Sequence, residues 1–501
     1  MPFIYYYLIG AGIDPANLNA LQKFFSQPGL GQSLAALIAV LIPCSVMFGV
    51  IQAVAGGSTY VERKVAADIQ RRVGPNKCNI GAFLGEWARQ VVANKNNPKA
   101  GAGAKIMAAL FAPLVPLFDI ADKVGSKFAP GVLIFLADGI KLIMKEDIIP
   151  DPVDKPLFKI APTIVLASAF GALAVLPYSD RFYVADFNIG VFYIAAITSM
   201  EVLGILMAGW ASNNKWALLG GMRSAAQIVS YELPVGLAIA TGILISGTMS
   251  MQGMIYDQMG IHANSTFVSD GWFWQWNLFH PAMFILAPVY FLAALAECNR
   301  TPFDIPEAES ELVSGYHTEY SGMRFAIFFM AEYAMMAVTS AIGATLFLGG
   351  WSTGIAPLEK VMVSGFDANG IPVFAIWGSL VHLLVFCTKT YGLMLIMMWI
   401  RWTLPRFRVD QMMTLCWKKL IPLSMLCFFG VASWMVLRMY LVAKLGSNGE
   451  ATMTTITFVL RLVFGIGATG WLIWYFAKPL TTEQVRQREL LAKAGTLTGT
   501  M

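Results

Sequence analysis

Residues 188–211 read NIGVFYIAAITSMEVLGILMAGWA, a run whose single ionisable side chain is Glu201. A helix needs about 20 mostly apolar residues to cross the hydrocarbon core of a bilayer. A helix that is apolar on every face is a buried or membrane-spanning one. This run therefore sets the class of the fold, and the rest of the chain agrees with it. Of 501 residues, 57% are hydrophobic and 13% charged, against about 25% charged in an ordinary globular chain. The mean hydropathy is +0.62. There is too little polar surface to coat a soluble particle of this size, and a disordered chain, a fibre and a disulfide-stapled scaffold are excluded by the same numbers.

Nine stretches qualify as spans: about 31–58, 157–178, 188–211, 224–248, 278–297, 324–348, 373–400, 419–441 and 453–477. They predict an all-α polytopic membrane protein with about nine transmembrane helices. Basic residues set sidedness. The first, third, fifth and seventh connections and the C-terminal tail hold 27 Lys and Arg, counting Arg324 and Lys419 at the edges of their spans, against 4 in the N-terminal segment and the other connections. The N-terminus is expected outside, and the C-terminus and the long 61–157 connection in the cytoplasm. The start, MPFIYYYLIGAGIDP, has no basic n-region, Arg-rich transit pattern or convincing cleavage site, so insertion by internal spans is expected. The long connection opens with YVERKVAADIQRRVGPNK and ends with LADGIKLIMKEDIIPDP, where Leu136, Ile140 and Ile143 share a helical face. Both read as amphipathic helices lying in the membrane interface.

The informative residues are the carboxylates. An ionised group at the bilayer centre costs at least ~2.5–3.5 kcal/mol on insertion scales, yet Glu201, Glu232, Glu297 and Glu332 lie within or at the ends of separate spans. Either each is static glue between helices, or together they line a hydrated path for protons or ions. Four in separate spans favour the path, since one pair would suffice as glue. Arg223 lies nine residues before Glu232, and is expected to pair with it or with a carboxylate on a neighbouring span. Pro234 deprives the Ser230 carbonyl of its helical donor, which often opens a polar pocket.

The connection after the fifth span, AECNRTPFDIPEAESELVSGYHTEYSGMRF, crowds Asp304, Glu307, Glu309, Glu311 and Glu319 together, with Arg300 and Arg324 as its only bases. Like charges so close raise one another's proton affinity, so proton uptake near neutral pH is expected there. The segment RWTLPRFRVDQMM sets Arg401, Arg406 and Arg408 around a proline and reads by itself as a cytoplasmic membrane anchor. Six cysteines form no CxxC pair and four histidines show no metal-ligand spacing, so no metal site is expected. With no P-loop, GxGxxG or haem-type His pair, this chain is expected to hold no redox cofactor and no nucleotide.

Five blocks, ERKVAADIQRRVGPN, LADGIKLIMKED, GWASNNKWALLGGMRSAAQIVSYE, AECNRTPFDIPEAESELVSGYHTEYSGMRFAIFFMAEY and RWTLPRFRVDQMM, run in this order from residue 62 to 413. In them the chain resembles the H subunit of bacterial NADH:quinone oxidoreductase, respiratory complex I, whose mitochondrial counterpart is NADH dehydrogenase subunit 1. The resemblance implies a bacterial inner-membrane subunit at the elbow of the complex. It places Arg63, Arg71 and Arg72 near the mouth of a quinone tunnel, and Arg300, Asp304, Glu307, Glu309 and Glu311 in the quinone-cavity loop, with Arg406 grouped beside them. Asp138 and Lys141 fall beside the hydrophilic-arm subunits, and Glu232, Glu297 and Glu332 match a chain of intramembrane carboxylates carrying protons onward. Arg223 is grouped with that path, and so is Glu201, although many relatives are apolar at that position. Quinone is the implied substrate. FMN, iron–sulfur clusters and NADH belong on partner subunits, and the partners are those of the hydrophilic arm's quinone site, small membrane-arm subunits and the lipid bilayer, with no nucleic acid.

The expected organisation is a 1–30 N-terminal interfacial or extracytoplasmic segment, a 31–440 quinone-chamber core of eight spans, and a 441–501 extra span and tail. The chain departs from the family in an insertion near 80–129, in that extra span, and in GVLIFLADG, where the usual Gln before the second block is replaced. Two other classes fit parts of the pattern. One is the homologous membrane anchor of a hydrogenase or F420-dependent dehydrogenase. The other is a stand-alone ion-coupled transporter, for which the chain lacks the internal repeats.

Overall fold

The computed structural model describes residues 54–76, 134–260, 272–306, 309–366 and 372–445, with a few single positions outside them. The expected N-terminal segment, the 80–129 insertion, most of the first span and almost all of the ninth lie outside the described residues. What is described is helical, apart from one short antiparallel pair, β1 (Val363–Phe366) with β2 (Pro372–Phe374).

The helices in chain order are α1 (54–69), α2 (Ile134–Met144), α3 (Lys155–Leu173), α4 (Gly190–Thr198) running on into α5 (Met200–Ala211), α6 (Lys215–Ser246), α7 (Met251–Gln258), α8 (Pro281–Glu297), α9 (Glu309–Leu312), α10 (Gly322–Phe347), α11 (Ala356–Met362), α12 (Ile376–Thr403), α13 (Val409–Leu415) and α14 (Ile421–Leu445). A π-helical turn, Cys416–Leu420, joins the last two. Six helical stretches are long and apolar enough to cross a membrane: α3, α4–α5, α6, α10, α12 and α13–α14; α8 is a shorter apolar helix. All seven fall where spans were expected, and the protein is an all-α membrane protein.

The first expected boundary differs. Helix α1 runs unbroken from 54 to 69, so YVERKVAADI continues the end of the first span instead of starting a separate interfacial helix. Helix α2 forms as expected, with Leu136, Ile140 and Ile143 exposed and no residue buried.

Helix α10 is the axis of the core, buried along most of its second half from Tyr333 to Phe347. Its neighbours α3, α8 and α12 surround it, while α12 and α14 turn Leu384, Trp399, Leu426, Phe429 and Met439 outward. Small residues set the close approaches, as they do between helices in lipid. A Cβ on Gly209 would stand 2.8 Å from the Ala217 carbonyl oxygen, and one on Gly204 would stand 2.4 Å from a Val165 methyl.

Helix α6 is the longest, and at 1.5 Å per residue it measures about 48 Å, well beyond the ~30 Å hydrocarbon core. Asn214 caps its start by accepting from the Trp216 N–H, and Gly247, at φ 68, ends it with an N–H bond to the Ile243 carbonyl. Pro234 sits inside it. The Ser230 carbonyl that the proline strands is not the opening of a polar pocket: the buried Cys416 thiol donates to it at 3.2 Å, from the π-helical turn.

Candidate functional site

The extra length of α6 has a use. Along it, five residues hold successive parts of the acidic connection that follows α8. The Asn214 amide donates to Glu319 at 2.7 Å, and Gly220 packs so closely on Gly315 that a Cβ would meet its Cα at 2.8 Å. Arg223 pairs with Glu311 at 2.7 Å. Ser224 reaches Asn299 at 3.4 Å, and Gln227 donates to the carbonyls of Ala296 and Phe303, both at 2.7 Å. The connection is therefore bound to the bundle along its length. From the other side, Arg406 pairs with buried Asp304 at 3.0 Å, and the Phe407 N–H donates to the Pro302 carbonyl at 2.9 Å. The segment RWTLPRFRVDQMM thus grips the acidic connection as well as following a span.

Three of the five carboxylates of the expected crowd have described side chains, and each has its own partner. Asp304, Glu311 and Glu319 each face a different partner, respectively Arg406, Arg223 and Asn214. Glu307 lies outside the described residues, as does the side chain of Glu309, which opens α9. Arg223 pairs with this connection and not with Glu232 on its own helix.

The focus of charge is Arg300. Asn299 adopts φ 50, a left-handed conformation that Asn tolerates better than most residues, and it turns the chain sharply at the end of α8. Arg300 is left buried at 3% exposure, with its guanidinium 4.3 Å from the centre of the Tyr333 ring. Its Nε lies 2.6 Å from Glu332 and its Nη1 3.2 Å from Glu62. Burial alone would lower its proton affinity, but Glu332 and Glu62 outweigh that and raise it well above its ordinary value. Glu62, on α1, also pairs with Arg401 and accepts from the Tyr333 hydroxyl at 2.6 Å. Two carboxylates and two guanidiniums thus form a neutral group joining α1, the end of α8, α10 and α12. Neutrality matters here, because breaking such a buried pair typically costs about 3–5 kcal/mol.

Behind this group lie the carboxylates of the spans. Glu201 on α5 and Glu297 at the end of α8 are both buried; their charges interact, and Glu297 also feels that of half-buried Glu232 on α6. Oε2 of Glu297 has no hydrogen-bond partner among the described residues. A row of carboxylates with an acceptor left open is an arrangement that can take up and release protons. The remaining expected residues are peripheral. Arg63 pairs with Asp138 at 2.5 Å and ties α1 to α2, while Arg71, Arg72 and Lys141 are exposed.

The structure brings in Glu62 and Tyr333, which sequence reasoning passed over, and Arg401, which it read only as part of a membrane anchor. Glu62 stands in the ERK motif, hidden among bases that make its helix look interfacial. The signal is there, since an acid at the end of an apolar run is a candidate for a buried partner.

Comparison with known proteins agrees with this architecture. Residues 120–432 match the family model described as NADH dehydrogenase. The H subunit of the NADH-quinone oxidoreductase of Anaeromyxobacter dehalogenans is 48% identical over 311 residues, covering 62% of this chain and 72% of that protein. The H subunit of the Chlorobaculum parvum enzyme is 47% identical over 307 residues, covering 61% of this chain and 80% of that protein. That of Bacteroides fragilis is 40% identical over 368 residues, covering 73% and 82%. The matched region contains Arg300, Glu332, Arg401 and the three carboxylates behind them, and on this ground the chain belongs to the NADH dehydrogenase family.

Proposed function

We propose that this chain is the membrane subunit of an NADH:quinone oxidoreductase that forms much of the quinone tunnel and the start of an intramembrane proton path. NADH, FMN and the iron–sulfur clusters belong to partner subunits, and quinone is the substrate reduced at the junction. In this reading the exposed Arg71, Arg72 and Lys141 and the Arg63–Asp138 pair face the hydrophilic-arm subunits. The N-terminus lies outside a bacterial inner membrane and the C-terminus in the cytoplasm.

The observation that carries the reading is that Arg300 is shared by Glu62 and Glu332. Reduction of a quinone to a quinol consumes two electrons and two protons. Charge arriving in a low-dielectric cavity acts far more strongly than in water. A neutral buried group of two acids and two bases responds to such a charge by re-pairing or by exchanging a proton. Glu332 then becomes the member through which the change reaches Glu297, Glu232 and Glu201. The acidic connection, held on α6 by Arg223 and on the α12–α13 segment by Arg406, sets the position of Arg300.

The test is gentle detergent extraction of a tagged chain, with the co-purifying subunits identified and NADH-driven quinone reduction assayed on the same sample. Recovery in a large assembly with inhibitor-sensitive quinone reduction is expected. Recovery with hydrogenase subunits, or as a lone particle without that activity, would overturn the assignment.

A further inference from the structure

A second buried charged group lies at the other end of the same helices. Arg401 and His382 are nineteen residues apart on α12, about 28 Å at the helical rise, so His382 is near the membrane face opposite the Arg300 group. It is fully buried between the rings of Trp351, at 4.5 Å, and Phe374, at 4.6 Å. Its Nε2 stands 3.0 Å from Glu359 of α11, and its Nδ1 stands 3.6 Å from Asp180, in the connection after α3. Glu359 is also fully buried, and its other oxygen accepts from the N–H and hydroxyl of Thr353 at 2.7 and 2.6 Å.

Only the Glu359 contact is a hydrogen bond; Nδ1 has no hydrogen-bond partner among the described residues and faces the Asp180 carboxylate at ion-pair distance, so an imidazolium meets both acids where a neutral ring serves one. Charge points the same way. Lys389, half-buried two turns along α12, spends its donors on the carbonyls of Leu348, Gly350 and Ser352, at 2.6, 2.9 and 2.7 Å. Asp180 and Glu359 flank the ring with two carboxylates, and a proton on His382 offsets one of those charges inside the cluster. Burial alone would raise the proton affinity of Asp180, yet the His382 ring and the Ser179 hydroxyl beside it hold its carboxyl below the ordinary range. The other titratable groups around the cluster are Arg181, which is 3.9 Å from Asp180, with Asp186, Tyr256, Tyr178 and Cys387.

We propose that Asp180, His382 and Glu359 form a second proton-binding site in this chain, separate from the carboxylate row, in which one proton held on His382 ties the 174–189 and 348–362 segments to α12. Lys389 also holds the 348–352 carbonyls to α12, two turns farther along, whereas the two acids themselves meet α12 at His382. The proton is therefore a structural element of that membrane face, and the face responds to the pH it meets.

The experiment is hydrogen–deuterium exchange of the extracted native assembly between pH 6.5 and 9.5, following peptides over 178–184 and 351–362. It does not depend on enzymatic activity. After correction for the intrinsic pH dependence of exchange, local opening is expected to rise by up to about tenfold per pH unit above the ordinary histidine range and to level off once the closed site has also lost its proton, the signature of one proton lost on opening. His382→Gln keeps a donor but no titratable proton and should flatten that dependence. Glu359→Gln, which balances the charge without a proton, should flatten it as well, and serves if the first variant does not assemble. A flat wild-type profile, or an unchanged slope in either variant, would overturn the proposal.

Discussion

The Arg300 guanidinium lies 2.6 Å from Glu332 and so joins the turn after α8 to the middle of the bundle through a charge that neither water nor lipid screens. Because Glu62 holds the same guanidinium, the three residues are not equivalent under mutation. Arg300→Met removes the buried guanidinium from both Glu332 and Glu62, although Glu62 keeps Arg401 and the Tyr333 hydroxyl, and should cost about 3–5 kcal/mol. Glu332→Gln leaves Arg300 with Glu62 and should cost clearly less. Thermal unfolding of the extracted assembly, with inhibitor-sensitive quinone reduction measured alongside, ranks the two. Equal loss in both variants would show that the contact with Glu62 contributes nothing and would contradict the sharing of Arg300.

Gly220 tests whether α6 is the frame of the acidic connection. Its Cα faces Gly315 and the Tyr316 amide with no room for a methyl group: the Cβ that Ala would add meets its nearest atoms at 2.8–2.9 Å. Gly220→Ala should lower quinone reduction and assembly, whereas Gly236→Ala, on the same helix with nothing within 4 Å, should be tolerated. Comparable activity in the two variants would contradict the role given to α6.

The Arg223–Glu311 pair is half in solvent, with side-chain exposures of 27% and 61%. Pairs of this kind are worth about 0.2–1 kcal/mol and weaken with salt. A double-mutant cycle of Arg223→Gln and Glu311→Gln should return a coupling in that range that shrinks as ionic strength rises. A larger, salt-independent coupling would mean that partner subunits bury the pair.

Cys416 supplies the donor that Pro234 removes from the α6 ladder. Cys416→Ser preserves a donor and should be close to neutral. Cys416→Ala leaves the Ser230 carbonyl unpaired in a buried place, at a cost of about 1–3 kcal/mol. Melting temperatures of the two extracted variants separate these outcomes.

The legible and the hidden divide along a physical line. Spans announce themselves by apolar runs, so α3, α4–α5, α6, α8, α10, α12 and α14 stand where hydropathy puts them, and Glu201 and Glu297 declare themselves as acids inside such runs. Partner choice is a three-dimensional matter. Arg223 has Glu232 on its own helix as a candidate, but two and a half turns of helix separate them, and a loop returning from α8 supplies Glu311 instead. Glu62 and Glu359 escape a sequence reading because each sits in a polar segment at the end of a span, where an acid is ordinary by composition. Only packing shows both of them buried. His382 has no metal-ligand spacing to single it out, and its partners come from residues about 20 and 200 positions away.

The most direct measurement uses Glu297, whose open Oε2 makes Gln an almost isosteric change. Vesicles carrying the assembly with Glu297→Gln should be assayed for NADH-driven quinone reduction and for protons moved per quinone reduced. The account predicts a normally assembled complex in which proton movement falls severalfold and quinone reduction slows with it. Wild-type proton movement at a wild-type rate of quinone reduction would contradict the claim that the buried carboxylates carry the coupling.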